Sequence, residues 1–158
     1  MLITNSRSNN IQIAFNPTRP NGIIFHAGNH SHQRDFLSIS LLERYVHFRF
    51  DLGSGLANVV SAEPVELEEW HTVYASRNGK SASLRVNNQL VIESLSPGLL
   101  QELNVVGDVS LGGVRSFDVV SPLSGLVVGF TGCVQSMQVN ACVCSFTDVC
   151  YNLVLDAI

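Results

Sequence analysis

Three acidic side chains, those of Glu66, Glu68 and Glu69, stand directly before Trp70 and His71. Glycosidases use paired carboxylates to protonate the glycosidic oxygen and to attack the sugar or activate water. That chemistry needs both acids on one face of a strand, whereas these acids lie in the approach to a strand. We therefore expect a solvated acidic turn, a Trp70 that packs in the fold with at least half of its surface buried, and a His71 without a titrating partner. No catalytic residue is predicted, and the chain is not expected to be an enzyme.

A second group of chemically capable side chains consists of His26, His30 and His32. Imidazole binds zinc, copper, iron and nickel, so a transition-metal site is one interpretation. The segment lies between two predicted strands with Gly28 and Asn29 in the turn, and we favour a polar, solvated loop. Asn29 also begins Asn-His-Ser, the only N-glycosylation acceptor in the chain, and a surface loop suits such an acceptor.

All four cysteines lie near the C-terminus, at Cys133, Cys142, Cys144 and Cys150. Zinc is one possible use, but the spacing lacks the paired C-x₂-C units typical of structural zinc sites. Disulfide bonding is the favoured interpretation for a secreted chain. Four cysteines allow three complete pairings, and the spacing alone does not choose among them.

Composition restricts the function classes. The 158 residues are 46% hydrophobic and 14% charged, with a net charge of −4, so the chain suits a folded domain with a core. Lys and Arg occur singly, and no basic stripe predicts nucleic-acid binding. No apolar run approaches the roughly 20 residues of a membrane helix, so membrane insertion is not expected. The first ten residues show no signal-peptide pattern.

Alternation with a period of two dominates the chain and predicts strands. Val46, Phe48 and Phe50 share one face of a segment whose intervening residues are polar or aromatic. Asn78-Gly79 is a strong hairpin signal and predicts a turn with these two residues at its centre. No helix of normal length is predicted. Many short strands with regular turns predict an all-β, antiparallel sandwich or barrel. The same alternation occurs at Ile11, Ile13 and Phe15, at Val73 and Ala75, and at Ala82, Leu84 and Val86.

Several segments, in this order and spacing, resemble the laminin G-like domain of the perlecan, agrin and pikachurin type. They are PNGIIF, RDFLSI, HFRFDLGSG, EEWHTVYASRNGKSASLRVNN, LGGV and GFTGCVQSMQVN. The resemblance covers residues 9–140 and implies an antiparallel two-sheet β-sandwich, a jelly roll of the concanavalin-like kind. Residues 141–158 form an atypical segment with cysteines. Only about ten residues precede Ile11, where the family has a further pair of strands, so we expect unpaired edge strands.

The resemblance also implies a calcium site on the rim of the sandwich. The matching positions are the side chains of Asp35 and Asn104 and the carbonyl oxygens of Leu52 and Glu102. Ca²⁺ takes 6–8 oxygen ligands, and with a single carboxylate we expect weak binding, on the order of 10⁻⁴–10⁻³ M. The alternative is that Asp35 and Asn104 are ordinary turn residues.

The family position of the first cysteine implies a disulfide from Cys133, for which Cys150 is the preferred partner. The resemblance further implies an extracellular binding module that uses calcium as a cofactor. Its expected partners are dystroglycan-type glycans, heparan sulfate or a cell-surface receptor protein, with Arg34 and Arg115 contacting the ligand's acidic groups. The alternative function is a structural protein–protein interaction module without a functional calcium site.

Overall fold

The computed structural model describes residues 6–28, 35–105, 109–113, 125 and 128–151. Within these ranges the chain forms eleven strands and no helix. Among the described residues, no helix is long and apolar enough to cross a membrane. The strands are β1 (Ser8–Pro17), β2 (Gly22–Gly28), β3 (Phe36–Leu42), β4 (Tyr45–Asp51), β5 (Leu56–Val60), β6 (His71–Asn78), β7 (Ser81–Val86), β8 (Ile92–Leu95), β9 (Val109–Leu111), β10 (Gly132–Val139) and β11 (Cys142–Tyr151).

The strands form two antiparallel sheets. A six-stranded sheet has the order β11-β10-β1-β6-β7-β8, and a five-stranded sheet has the order β5-β4-β3-β2-β9. The strand ladders within both sheets are antiparallel. The predicted all-β, two-sheet sandwich is therefore confirmed.

Alternation along the strands builds the core between the sheets. In β4, Val46, Phe48 and Phe50 are buried, as predicted, while Tyr45 at the start of the strand is exposed. The inward positions of β1, β6 and β7 follow the predicted pattern and join the same core cluster. Removal of this apolar surface from water drives the two sheets together, at about 25 cal/mol for each Å² buried.

The β6–β7 hairpin differs by one residue from the prediction. Asn78 pairs with Ser81, so the two central residues of the turn are Gly79 and Lys80. Gly79 has a positive φ of 58° and Lys80 does not. Glycine at the first central position is typical of a type II′ turn, which needs only one positive φ. The expectation that Asn78 and Gly79 form the centre was wrong because Asn78 remains in the ladder.

The chain ends of the described region are integrated into the six-stranded sheet. β1 is an interior strand, since β10 and β6 pair with its two edges. The C-terminal segment that we expected to be atypical forms β11, which pairs with β10. Among the described strands, β11 and β8 form the two edges of this sheet.

Candidate calcium rim

The rim is the edge of the sandwich where β3 begins and β4 ends. Phe36 pairs with Asp51, so the preceding Asp35 and the following Leu52 lie opposite each other at the same end of neighbouring strands. The segment from Pro97 to Asn104 reaches the same edge, because the Asn104 N–H donates a hydrogen bond of 2.8 Å to Asp35 Oδ2. The fold thus brings Asp35 into contact with Asn104 and next to Leu52.

The turn after β4 is shaped by a second carboxylate. Asp51 is buried, and its Oδ1 accepts hydrogen bonds from the N–H groups of Gly53 and Gly55, at 2.7 Å and 3.1 Å. Gly53 has φ 99°, where side chains are disfavoured. A Cβ atom at Gly53 would lie 3.3 Å from Asp35 Oδ1 and 3.1 Å from Leu100 Cδ1. Glycine therefore preserves the space beside the Asp35 carboxylate.

Asp35 has one oxygen available for a cation. Oδ2 accepts the Asn104 hydrogen bond, whereas no described residue donates a hydrogen bond to Oδ1. Partial burial raises the pKa of Asp35, and the nearby Asp51 carboxylate adds to this rise; the Asn104 N–H and the Arg77 guanidinium oppose it. Burial and the Asp51 charge thus disfavour the ionised form of Asp35 in the protein without a ligand. A bound cation would stabilise that ionised carboxylate.

The expected carbonyl ligands lie in the same region. Hydrogen bonds use the carbonyls of Gln101 and Leu103, on either side of Glu102. No hydrogen bond to the Glu102 carbonyl occurs within the described ranges, so that oxygen can take a ligand. The Leu52 side chain is buried, which anchors the backbone that carries the second carbonyl. Carboxylate, amide and carbonyl oxygens are the hard ligands that Ca²⁺ takes, so this donor set fits the ion.

A buried arginine on β6 makes hydrogen bonds that hold the backbone next to the rim. Arg77 is only 1% exposed and lies on the inward face of β6, with its guanidinium 5.9 Å from the centre of the Phe50 ring. The guanidinium donates to the side-chain oxygen of Asn9 and to four carbonyl oxygens, those of Ser6, Arg7, Gly79 and Gln101. The bond to Gln101 connects the β6 strand to the loop that carries Glu102 and Asn104.

Burial lowers the pKa of Arg77 to about 10, and the charge of Asp35 raises it in part. Sequence reasoning missed Arg77 and Asp51 as parts of the rim. For Arg77 a signal was present, because residue 77 continues the inward series of Val73 and Ala75. For Asp51 the signal was Asp-x-Gly-x-Gly, in which a carboxylate can accept the N–H groups of the next turn.

The two arginines expected to bind the ligand and the expected glycosylation site are not among the residues that the structure describes. Arg34, Arg115 and Asn29 lie outside the described residues. The same holds for His30 and His32. The described ranges contain no cluster of three His, Cys, Asp or Glu side chains suited to a metal ion.

His26 is not part of a solvated loop. It lies in β2, is 4% exposed and stacks against Phe36 with ring centres 6.3 Å apart. Its Nε2 is buried without a hydrogen-bond partner among the described residues, and burial lowers its pKa to about 4. The expectation of a polar loop was wrong at this residue because both faces of β2 are covered.

Trp70 and His71 have different environments. His71 is buried; its Nε2 donates to the Glu66 carbonyl at 2.7 Å, and its Nδ1 accepts from the Asn87 amide at 2.9 Å. Its described hydrogen-bond partners are thus a backbone carbonyl and a side-chain amide. Trp70 is 45% exposed, so the predicted burial of at least half holds, but it does not join the core cluster. The tryptophan therefore lies on the surface beside an inward-facing histidine.

The remaining predictions concern the acidic turn and the cysteines. Glu66, Glu68 and Glu69 are exposed, and Glu66 lies 3.6 Å from Arg44 in a surface ion pair. Cys133 and Cys150 pair across β10 and β11 and form a disulfide. Cys142 is exposed and Cys144 is partly buried, and both are free thiols.

The two antiparallel sheets define a β-sandwich of the jelly-roll class. Residues 15–141 match the model of the Laminin G domain. The chain belongs to the laminin G domain family.

Two curated relatives support this assignment. The Basement membrane-specific heparan sulfate proteoglycan core protein of Mus musculus is 39% identical over 131 residues, covering 82% of this chain and 4% of that protein. Pikachurin of Bos taurus is 33% identical over 129 residues, covering 82% of this chain and 13% of that protein. The chain thus spans only a small part of these relatives. Laminin G domains are binding modules of matrix and cell-surface proteins.

Among solved structures, domains LG4-5 of the mouse laminin alpha1 chain superpose with a TM-score of 0.77 at 21% identity. The match covers 92% of this chain and 40% of that chain. At this identity the similarity establishes the fold.

Proposed function

We propose that this chain is an extracellular, calcium-dependent binding module rather than an enzyme. The observation that carries the proposal is the state of Asp35, whose Oδ1 accepts no hydrogen bond from any described residue and whose pKa is raised by burial. A divalent cation beside that oxygen would favour the ionised carboxylate and relieve the repulsion from Asp51. The name of the Mus musculus relative refers to the basement membrane, which favours an extracellular location.

The proposed ion is held by Asp35, by the Asn104 side chain and by the carbonyl oxygens of Leu52 and Glu102. Four protein oxygens leave coordination positions open, since Ca²⁺ takes 6–8. An acidic group of a partner can occupy those positions. The affinity for calcium is then weak, on the order of 10⁻⁴–10⁻³ M, as in other extracellular modules with few charged ligands.

The proposed partner presents a carboxylate or a sulfate. A dystroglycan-type glycan, heparan sulfate and an acidic receptor surface all satisfy this requirement. The ion would bridge the partner's acidic group to Asp35, and Arg34 and Arg115 would add charge-assisted hydrogen bonds.

A second candidate is a protein–protein interaction module with no functional calcium site. The observation that favours it is a set of exposed leucines near the rim: Leu95 is 69% exposed, Leu99 is 89% exposed and Leu100 is 49% exposed. Exposed apolar side chains in one region are typical of protein-binding surfaces. The two candidates differ in whether binding requires calcium.

Calorimetric titration of Ca²⁺ into the wild type and three variants separates them. Asn104→Asp should bind most tightly because it adds a second carboxylate, and affinity follows the charge of the ligands. Glu102→Gln should match the wild type because only the backbone carbonyl is used, and it is the matched control. Asp35→Ala should bind most weakly. If Asp35→Ala binds calcium as tightly as the wild type, the proposed site is wrong.

A second arm tests the partner. Immobilised heparin and a purified dystroglycan-type glycan are offered to the wild type in calcium and in EDTA. Retention that is lost in EDTA and in Asp35→Ala supports the proposed function. Retention of neither glycan, together with normal calcium binding, would point to a protein receptor.

A further inference from the structure

The outward face of the six-stranded sheet carries two rows of polar side chains that are aligned by the strand register. In the first row, Gln138 of β10 pairs with Gln12 of β1, Gln12 pairs with Tyr74 of β6, and Tyr74 pairs with Arg85 of β7. Strands lie about 4.8 Å apart, so these four residues form a line of roughly 14 Å across the sheet. We call this line the amide row.

A second row runs beside it. Asn10 of β1 pairs with Ser76 of β6, Ser76 pairs with Ser83 of β7, and Ser83 pairs with Glu93 of β8. The hydroxyls of Ser76 and Ser83 are hydrogen-bonded at 2.6 Å. We call this line the hydroxyl row. The two rows are about 6.8 Å apart along the strands.

Two adjoining depressions lie over these rows. One, of about 230 Å³, is lined by residues of both rows, including Gln12, Tyr74 and Arg85. The other, of about 660 Å³, continues over the hydroxyl row to Glu93 and Leu95. Both are lined by Ser76 and Ser83, so together they form one trough across β1, β6, β7 and β8.

At the centre of the trough, the Arg85 guanidinium stacks on the face of the Tyr74 ring. The Arg85 guanidinium carbon is 4.1 Å from the centre of the Tyr74 ring, and an Arg85 N–H donates to the Asn87 carbonyl, which fixes the guanidinium. The Tyr74 hydroxyl and the Gln12 amide have no hydrogen-bond partner among the described residues. Both groups can donate and accept hydrogen bonds.

We propose that this trough binds a neutral oligosaccharide, at a site separate from the calcium rim. A sugar combines ring faces bearing C–H groups with hydroxyls that both donate and accept. The outer face of the guanidinium that stacks on Tyr74 offers a planar surface to such a ring, and side-chain amides and hydroxyls on both sides match its hydroxyl groups. The trough is large enough for such a ligand, since small-molecule sites occupy about 300–1,000 Å³.

The charge of the trough selects against the acidic partners of the rim. The two rows contain one cation, Arg85, and one anion, Glu93, at neighbouring positions along the sheet edge. One N–H group of Arg85 donates to the Asn87 carbonyl, and the guanidinium stacks on Tyr74. The Glu93 carboxylate offsets this single cation, whereas recognition of an acidic group relies on charge-assisted, often bidentate, hydrogen bonds from cations. A polar ligand without charge is therefore the complementary one.

The experiment uses the full chain in EDTA, so that the calcium rim does not contribute. Amide signals of the ¹⁵N-labelled protein are followed by NMR while neutral oligosaccharides built from glucose, galactose, mannose or N-acetylglucosamine are added to millimolar concentration. Sulfated and sialylated oligosaccharides form the comparison set. We expect at least one neutral series to shift the signals of β1, β6 and β7.

Variants locate the site. Tyr74→Ala should weaken binding by roughly tenfold, equivalent to about 1.4 kcal/mol. Tyr45→Ala is the matched control, because Tyr45 is 36% exposed and lies on β4 of the other sheet. If Tyr74→Ala fails to fold, the double variant Gln12→Ala/Gln138→Ala removes two exposed amides and should weaken binding instead.

Three outcomes would overturn the proposal. They are the absence of any shift with neutral oligosaccharides, binding only to the sulfated or sialylated set, and neutral binding that both the Tyr74 and the Gln12/Gln138 variants leave unchanged. Each of these outcomes is independent of the calcium measurement. Failure of the rim proposal therefore leaves the trough proposal standing, and the reverse also holds.

Discussion

Replacing Arg77 with methionine tests how the rim is supported. Arg77 makes six hydrogen bonds to five acceptors, and those to Asn9 Oδ1 and the Gly79 carbonyl are buried. Methionine has a similar length but no donor. The two buried acceptors would lose their partners, at about 1–3 kcal/mol each, whereas water can reach the partly buried carbonyls.

The variant also removes a buried charge, whose cost is visible in the lowered pKa of Arg77. That gain offsets part of the loss. We expect a net decrease of about 2–4 kcal/mol in the free energy of unfolding, a large part of the 5–15 kcal/mol typical of a domain.

Urea denaturation at pH 7 in EDTA measures this change through the midpoint and the slope. Arg85→Met is the matched control, because Arg85 lies on the neighbouring strand β7, is partly exposed and bonds to a single carbonyl. Surface changes of this kind are usually within about 0.5 kcal/mol. If Arg77→Met loses no more stability than Arg85→Met, the hydrogen bonds of Arg77 do not support the rim as described.

Three further predictions concern the disulfide, a buried imidazole and the rim glycine. Replacing Cys133 and Cys150 by alanine opens a loop with a sequence separation of 17 and should cost about 3 kcal/mol in urea denaturation; Cys142→Ser is the control and should be nearly neutral, since this thiol is exposed. The pKa of His26 is lowered from 6.5 to about 4. The contribution of the neutral imidazole to the free energy of unfolding is therefore complete above pH 6.5 and is lost as the pH falls toward 4. This loss is worth roughly 3 kcal/mol, because the unfolded chain takes up the proton first. His26→Phe should flatten the dependence of the unfolding midpoint on pH in that window, and an unchanged slope would contradict the assignment. Gly53→Ala should lower stability by about 1–3 kcal/mol because of its positive φ and should weaken calcium binding in the same calorimetric assay; wild-type values for both would contradict the role given to Gly53.

The strands could be predicted from sequence because burial of one face of a sheet makes apolar residues alternate with other residues along each strand. Val46, Phe48 and Phe50 alternate with outward residues, and the structure buries all three. The turn after β6 was placed one residue early, since Asn78-Gly79 suits a type I′ turn but Gly79-Lys80 also permits a type II′ turn. Local propensity does not choose between the two registers; the pairing of both strands does.

Charged and polar residues in the interior were harder to predict. Arg77 occupies an inward position, but its partners come from β1 and the two residues before it, from the adjacent turn and from a loop 24 residues away. No local pattern shows that these acceptors converge on one guanidinium. His26 was assigned to a loop because it was grouped with His30 and His32 around a turn at Gly28 and Asn29, whereas the coverage of both faces of β2 is a property of the assembled sandwich.

A crystal structure of the protein grown in calcium tests the central claim most directly. Calcium at about 10 mM exceeds the weak end of the affinity range of extracellular modules tenfold. We predict an ion about 2.3–2.6 Å from an Asp35 carboxylate oxygen, with the Leu52 and Glu102 carbonyls and the Asn104 side chain among its other ligands. An ion bound elsewhere, or none beside Asp35 at this concentration, would contradict it.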